Sequence, residues 1–359
     1  MKKANNNGIL RWDRFLKAVL TLAVPVALQN LLTNTGSMID TMMIGSLGEE
    51  TVGAVGLCAQ FSSLLLSCYW GFLGGGILFL SQYWGAKDED GINRSYGLMT
   101  ACMTAVGLLF GALAVFAPEF IMSVYTDKEV FKEIGVRYFK IVGFAYPLQV
   151  FSMSMSGLLR STERVRIPLI ASICSVLSNI FLNWVFIFGK LGCPAMGVRG
   201  AALATVCAAL VNVLVMFVLA KIKGFKYLFM FRAHLNWKKS EISLFLKKCF
   251  PIVCNELGLG IAYLIINMVL GRQEMEAVSA LAVFRTFEGL IIAFFTGFSS
   301  ASSVMVGMRV GAGEHEDAFI IANRLVYLCA GTVAAVCLGI YFVCPPILTA
   351  MGLHGLSMY

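Results

Sequence analysis

Charge is what this chain has least of. Asp, Glu, Lys and Arg together supply 13% of its 359 residues, against 58% hydrophobic. A soluble domain is about a quarter charged, so a soluble globular protein is excluded. Histidine occurs three times, never in an HExxH pattern or at metal-ligand spacing from cysteine. The 11 cysteines include no CxxC. Nearly all lie in apolar stretches, where they act as small packing residues and form neither a disulfide framework nor a metal site. Period-2 alternation is missing, which excludes a β-barrel. No nucleophile stands at convincing spacing from a base, so an intramembrane enzyme is not expected. Gly74-Gly75-Gly76 lacks the Lys-Ser/Thr of a phosphate loop and lies in an apolar run.

What the chain has in abundance is long hydrophobic runs. Nine are present, at 15–44, 51–84, 95–117, 131–158, 167–189, 198–220, 245–270, 277–308 and 319–343. Each exceeds the ~20 residues that a helix needs to cross hydrocarbon. An all-α integral membrane protein is expected. With the N-terminus inside, the basic residues in outside segments are Lys128, Lys132, Arg137, Lys140, Lys190, Arg199 and Arg272. Arg285 falls within a span, and the remaining 20 of the 28 Lys and Arg fall inside. Lys and Arg accumulate in cytoplasmic loops, so this asymmetry places the N-terminus in the cytoplasm. The net charge of +8 is then a topology signal. The basic residues are dispersed, and nucleic acid is not an expected partner.

The chain repeats itself at an offset of 226 residues. Gly45, Ala54, Gly71-Phe72 and Gly85-Ala86 fall on Gly271, Ala280, Gly297-Phe298 and Gly311-Ala312. Pro25 and Leu31 fall on Pro251 and Leu257. The matching positions are mostly those where backbone geometry and close packing choose the residue. Two parallel helical bundles related by an axis along the membrane normal are expected, with a substrate path between them. The division is an amino-terminal six-helix lobe over 1–220, a linker over 221–244 and an incomplete carboxy-terminal lobe over 245–359. The linker, with Lys and aromatics interleaved, reads as cytoplasmic and in part as an amphipathic helix lying on anionic lipid.

Polar side chains inside hydrocarbon are costly and face a cavity or a partner helix. In the first span Gln29, Asn30, Thr33, Asn34, Ser37, Asp40 and Thr41 share one arc of roughly 140° on a helical wheel. Asp40 is its only acid. It is either a buried carboxylate that exchanges a proton or binds a cation, or a solvated acid at the membrane edge. The fifth span presents Asn179 and Asn183 one turn apart, flanked by Ser172 and Ser175, and Thr205 adds a hydroxyl in the sixth. In the seventh, Glu256, Tyr263 and Asn267 share a stripe, although Glu256 also fits a helix end near the interface. Arg285 and Glu288 in the eighth form either a local ion pair or part of the substrate path. Pro25 and Pro251 are candidate hinges, since an internal proline removes a helical hydrogen bond.

Taken in order, these segments resemble the multidrug and toxic compound extrusion (MATE) family. The resemblance runs over all 359 residues and rests on Leu22-Ala23-Val24-Pro25 followed by the polar face ending Asp40-Thr41. Further support comes from Gln82-Tyr83-Trp84-Gly85-Ala86-Lys87 with its echo Gly311-Ala312-Gly313, and from Asn179-Ile180-Phe181-Leu182-Asn183. Gly200-Ala201-Ala202-Leu203-Ala204-Thr205 and Pro251-Ile252-Val253-Cys254-Asn255-Glu256 complete the set. The resemblance implies a V-shaped pair of bundles acting by alternating access. It implies a monomeric antiporter of the bacterial inner membrane that exports cationic amphipathic compounds in exchange for H⁺ or Na⁺, with no cofactor. It assigns ion coupling to Asp40, Asn179, Asn183, Thr205 and, in the second lobe, Glu256. Some members carry an acid where this chain has Asn183. The family has twelve helices and this chain shows nine, so truncation and a non-transporting product are expected. A saccharide-lipid flippase of the same broad fold would need a strongly basic cavity, and Arg285 is the one basic residue expected inside the membrane.

Overall fold

The computed structural model describes residues 12–235, 237–270 and 275–350. The side chains of Tyr263, Asn267 and Arg285 lie outside the described residues, so the expectations placed on them are not taken further. The described chain is helical, with no strand among the described residues. Helices α1 (Trp12–Gly45), α2 (Glu49–Ala86) and α3 (Glu89–Phe116) are followed by a short α4 (Pro118–Tyr125). Next come α5 (Glu129–Val142), α6 (Ala145–Ser161), α7 (Arg166–Phe188) and α8 (Val198–Ile222). A 3₁₀ turn (Lys226–Phe229) and α9 (Phe231–His234) lead into α10 (Lys239–Leu270), α11 (Met275–Gly311) and α12 (His315–Ala350). Among the described residues α1, α2, α3, α7, α8 and α12 are long and apolar enough to cross a membrane, and the pair α5–α6 adds a bent seventh span. The protein is a multi-pass membrane protein.

Local chemistry explains the breaks. Lys87 closes α2 in the left-handed conformation, and the Asp88 carboxylate caps α3 by accepting from the Gly91 N–H at 2.9 Å. Gly189 closes α7 at a positive φ. The span expected to run unbroken over 131–158 is instead bent by 49° between α5 and α6. Pro147 stands in the first turn of α6 and has no N–H to offer the Gly143 carbonyl four residues earlier. Pro25 and Pro251 do not end their helices; α1 and α10 continue through them.

The internal repeat has a direct structural counterpart. In the 226-residue offset α1 corresponds to α10 and α2 to α11, and the two lobes meet through α1 with α11 and α2 with α10 and α11. A Cβ added to Gly71 would come within 2.5 Å of the Val253 Cα. A Cβ added to Gly297, its repeat mate, would come within 3.0 Å of the Ala27 Cβ, and Ala27 is the mate of Val253. At the far end of α2, a Cβ on Gly85 would overlap the Met308 carbonyl, and one on Gly311 would overlap the Gln82 carbonyl. These again are mates. The glycines match across the repeat because each copy makes the same backbone crossing against the other. Ser81 reinforces it, its hydroxyl reaching the Ser303 carbonyl at 3.3 Å.

The segment after α8 departs from expectation. No extended amphipathic helix forms there among the described residues; α9 has four residues, and α10 begins at Lys239. Phe225, Tyr227, Leu228 and His234 are buried instead. The aromatics find cover on the amino lobe, Tyr227 edge-on to Trp84 and His234 edge-on to Tyr96. Lys226 pairs with Glu89 at 2.8 Å, and Arg94 of α3 pairs with Glu241 of α10 at 3.1 Å. Burial of this apolar material outweighs lying on lipid headgroups. The His234 Nε2–H donates to the Tyr227 carbonyl at 2.8 Å, and burial holds the imidazole below its ordinary pKa. A depressed pKa favours the neutral ring, so the docked segment is most stable above about pH 6.5 and loosens as pH falls below it. Amide exchange over 225–235 is expected to be several-fold faster at pH 5.5 than at pH 7.5, after correction for intrinsic rates. His234→Gln is expected to remove that difference.

Candidate functional site

The amino lobe holds a cavity of about 450 Å³ between α1, α2, α5, α6, α7 and α8. Gly36 of α1 makes it possible. With no side chain there, Val176 of α7 packs against the backbone, and a Cβ would stand 3.1 Å from its methyl. One to two turns further along, that close approach brings Asp40 to Asn183. The Asn183 Nδ2 donates to Asp40 Oδ1 at 2.6 Å and to Asn179 Oδ1 at 3.3 Å. Asn183 is fully buried, and its Oδ1 has no hydrogen-bond partner. Thr205 lines the same wall, its hydroxyl donating to the Ala201 carbonyl at 3.0 Å. Ser175 ties α7 to α8 through the Ala208 carbonyl at 2.8 Å.

The polar stripe of the first span divides. Its edge at about 0° to 80° on the wheel holds Gln29, Asp40, Thr33 and Ser37. Thr33, Ser37 and Asp40 line the cavity. Gln29, four residues before Thr33, is buried just beyond it. The edge at about 100° to 140° holds Asn30, Thr41 and Asn34, which are not part of the cavity wall. Asp40 is therefore a part-buried acid hydrogen-bonded inside the bundle. Of the expected ion-coupling set, Asp40, Asn179, Asn183 and Thr205 come together. Glu256 stands apart, half-buried on α10, and Glu288 is half-buried on α11.

Sequence reasoning missed four participants. Tyr69, Tyr138 and Tyr146 line the cavity, and the Tyr146 hydroxyl lies 2.9 Å from Ser62 Oγ. The signal was available. Ser62 and Tyr69 sit seven residues apart in an apolar span, and Gly135, Tyr138 and Val142 form one buried face in an otherwise charged segment. The fourth is Arg160, assigned above to an inside loop. Helix α6 continues through Ser161, so Arg160 falls in its last turn and turns into the bundle. It is 2% exposed, and its Nη2 donates to Gln29 Oε1 at 2.8 Å. A basic residue other than Arg285 is thus buried inside the helical bundle.

A profile described as MatE matches residues 25–185 and 251–356, most of the chain and both copies of the repeat. The chain belongs to the MatE family. It is 24% identical over 297 residues to "Probable multidrug resistance protein YoeA" of Bacillus subtilis, covering 82% of this chain and 64% of that protein. To "Multidrug resistance protein NorM" of Vibrio cholerae it is 23% identical over 318 residues, covering 87% and 68%. The chain thus spans about two thirds of the length of these MatE relatives. The solved structure "Crystal structure of MATE in complex with MaD3S" superposes with a TM-score of 0.81 at 20% identity, over 98% of this chain and 78% of that one. The V-shaped, two-bundle MATE fold is the one adopted here.

Proposed function

We propose that this chain forms the ion-coupling half and the central crossing of a secondary antiporter that exports cationic amphipathic compounds against inward H⁺ or Na⁺. The observation that carries the proposal is the hydrogen-bonded chain in which the buried Asn183 joins Asp40 to Asn179, both in the wall of a tyrosine-lined cavity. An ionised Asp40 accepts from the amide N–H. A protonated Asp40 would donate to the amide oxygen if the Asn183 amide turned over. The pair can therefore serve either charge state with little movement. With the Asn183 amide turned over, the carboxylate, the Asn179 and Asn183 oxygens and the Thr205 hydroxyl would supply hard oxygen ligands of the kind a small cation takes. An organic cation on the same wall would compete with either ion for one negative charge, and that competition is the basis of exchange. Tyr69, Tyr138 and Tyr146 offer aromatic faces to such a cation.

The relatives support this reading, since those cited above are described as multidrug resistance proteins. Closure where Gly85 meets Met308 and Gly311 meets Gln82, with the cavity toward the opposite end of α1, corresponds to an outward-facing state if the N-terminus is cytoplasmic. The test is binding of tetramethylrhodamine methyl ester, a permanent aromatic cation, to the purified chain across pH and Na⁺ concentration. Displacement by protons or by Na⁺ is expected, and binding indifferent to both would overturn the coupling. Asn183→Ala separates the two ions. It removes a neutral oxygen and leaves Asp40 to titrate, so Na⁺ displacement should weaken by about tenfold while proton displacement persists. An unaltered Na⁺ response would exclude Asn183 as a ligand.

A further inference from the structure

Arg160 is a buried charge that ion coupling does not use. Among the described residues no carboxylate pairs with it, and its Nε has no partner at all. A guanidinium remains protonated in a protein interior, and an uncompensated one is costly to bury. Such a group is expected to mark a site where its charge is used. Its place in the fold indicates the use. Gln29, which it holds, accepts through its backbone carbonyl from the Thr33 hydroxyl at 2.9 Å, and Thr33 lines the cavity. Tyr69, another lining residue, lies within electrostatic reach of the guanidinium. Arg160 therefore stands one layer beneath the end of the cavity bounded by Thr33 and Tyr69. Asp40, about two turns further along α1 from Thr33, occupies the other end.

We propose that Arg160 is a specificity-determining residue, a fixed cation that polarises the amino-lobe cavity so that it selects organic cations also carrying a carboxylate or similar anionic group. The inference rests on the cavity accepting organic cations, as proposed above. A monocation meets attraction at the Asp40 end and repulsion at the Tyr69 end. A zwitterion aligns with the field between the two ends, which lie roughly 10 Å apart, its cationic group toward Asp40 and its anionic group toward Tyr69. Arg160 acts through its field and through Tyr69, because at 2% exposure it does not itself form the wall. Fields of this kind are strong where the surroundings are of low dielectric and water is excluded.

Tetramethylrhodamine and its methyl ester test this, since they differ only in whether the carboxylate is free. Binding of both to the purified chain is read by fluorescence anisotropy. The native protein should bind the zwitterion at least as tightly as the ester. In Arg160→Gln the preference should shift toward the ester by on the order of tenfold, the scale of one unit-charge interaction at ~10 Å and an effective dielectric of about 20. Arg160→Lys should keep the native ratio. A role confined to holding Gln29 and α1 would change both affinities together and leave the ratio fixed, so an unchanged ratio in Arg160→Gln overturns the inference. If that variant does not fold, the native protein still decides, because a native preference of tenfold or more for the ester overturns it too. Failure of both dyes to bind the native chain would overturn the organic-cation reading itself, and this inference with it.

Discussion

Asp40→Asn is expected to weaken binding of the rhodamine ester by about tenfold or more and to erase its dependence on pH and Na⁺. The side chain keeps its shape, and the neighbouring amides retain a hydrogen-bond acceptor, so insertion and expression should remain within about twofold of native. What disappears is the one acid on the cavity wall, and with it both the attraction for a cation and the group that titrates. The decisive measurement is the pair of displacement curves, against protons and against Na⁺, for native and mutant chains. A mutant that binds the ester with native affinity and native pH dependence would move the coupling site elsewhere, with Glu256 the next candidate. Arg160→Gln distinguishes itself from this outcome, since it should alter the preference between dyes and leave ion displacement in place.

The second large effect is expected at the crossing of the lobes. Gly85→Val and Gly311→Val each place a branched side chain against a carbonyl of the opposite helix, Met308 and Gln82 respectively. Overpacking of side chains costs about 1–3 kcal/mol, and backbone contact leaves less room to adjust. Both variants should lower the thermal midpoint by roughly 5 °C or more. Because the two contacts are repeat mates, the effects should be similar in size. Gly56→Val serves as the control, since a Cβ at Gly56 in α2 has nothing within 4 Å. Cys249 reports the mechanism. It is fully buried on α10 and packs on Gly75 of α2. Splaying of the crossing should raise its maleimide labelling by about tenfold, read by peptide mass spectrometry. Equal stability and equal labelling in all three variants would mean that the lobes do not rely on this contact.

Much of this protein follows from its sequence because hydrocarbon imposes so few solutions. Runs of more than 20 apolar residues must be helices, since every backbone polar group has to be satisfied within its own segment. The repeat was legible because backbone crossings tolerate only glycine, and Gly71, Gly85, Gly297 and Gly311 kept their register while the side chains around them diverged. Asp40, Asn179, Asn183 and Thr205 were visible as polar groups in apolar spans, and the family resemblance grouped them into one set.

What the sequence could not decide depends on contacts between distant segments. Which edge of the first-span stripe faces the cavity was set by Val176 packing on Gly36, 140 residues away in the chain. The wheel alone treats Asp40 and Asn34 alike. The bend between α5 and α6 came from one missing hydrogen bond at Pro147, which hydropathy does not register. The segment after α8 is polar in composition, yet its rings pack on Trp84 of α2, Tyr96 of α3 and Phe217 of α8, because that surface is available only in the folded lobe. Arg160 is the clearest instance. A basic residue at the edge of a hydrophobic run has the composition of a loop. Only the continuation of α6 for one more turn, and the presence of Gln29 on another helix, carry it into the bundle. Periodicity and hydropathy are properties of single helices, so they identify helices and polar faces. Partners, cavities and the direction of a charge are properties of pairs of helices, and tertiary packing alone determines them.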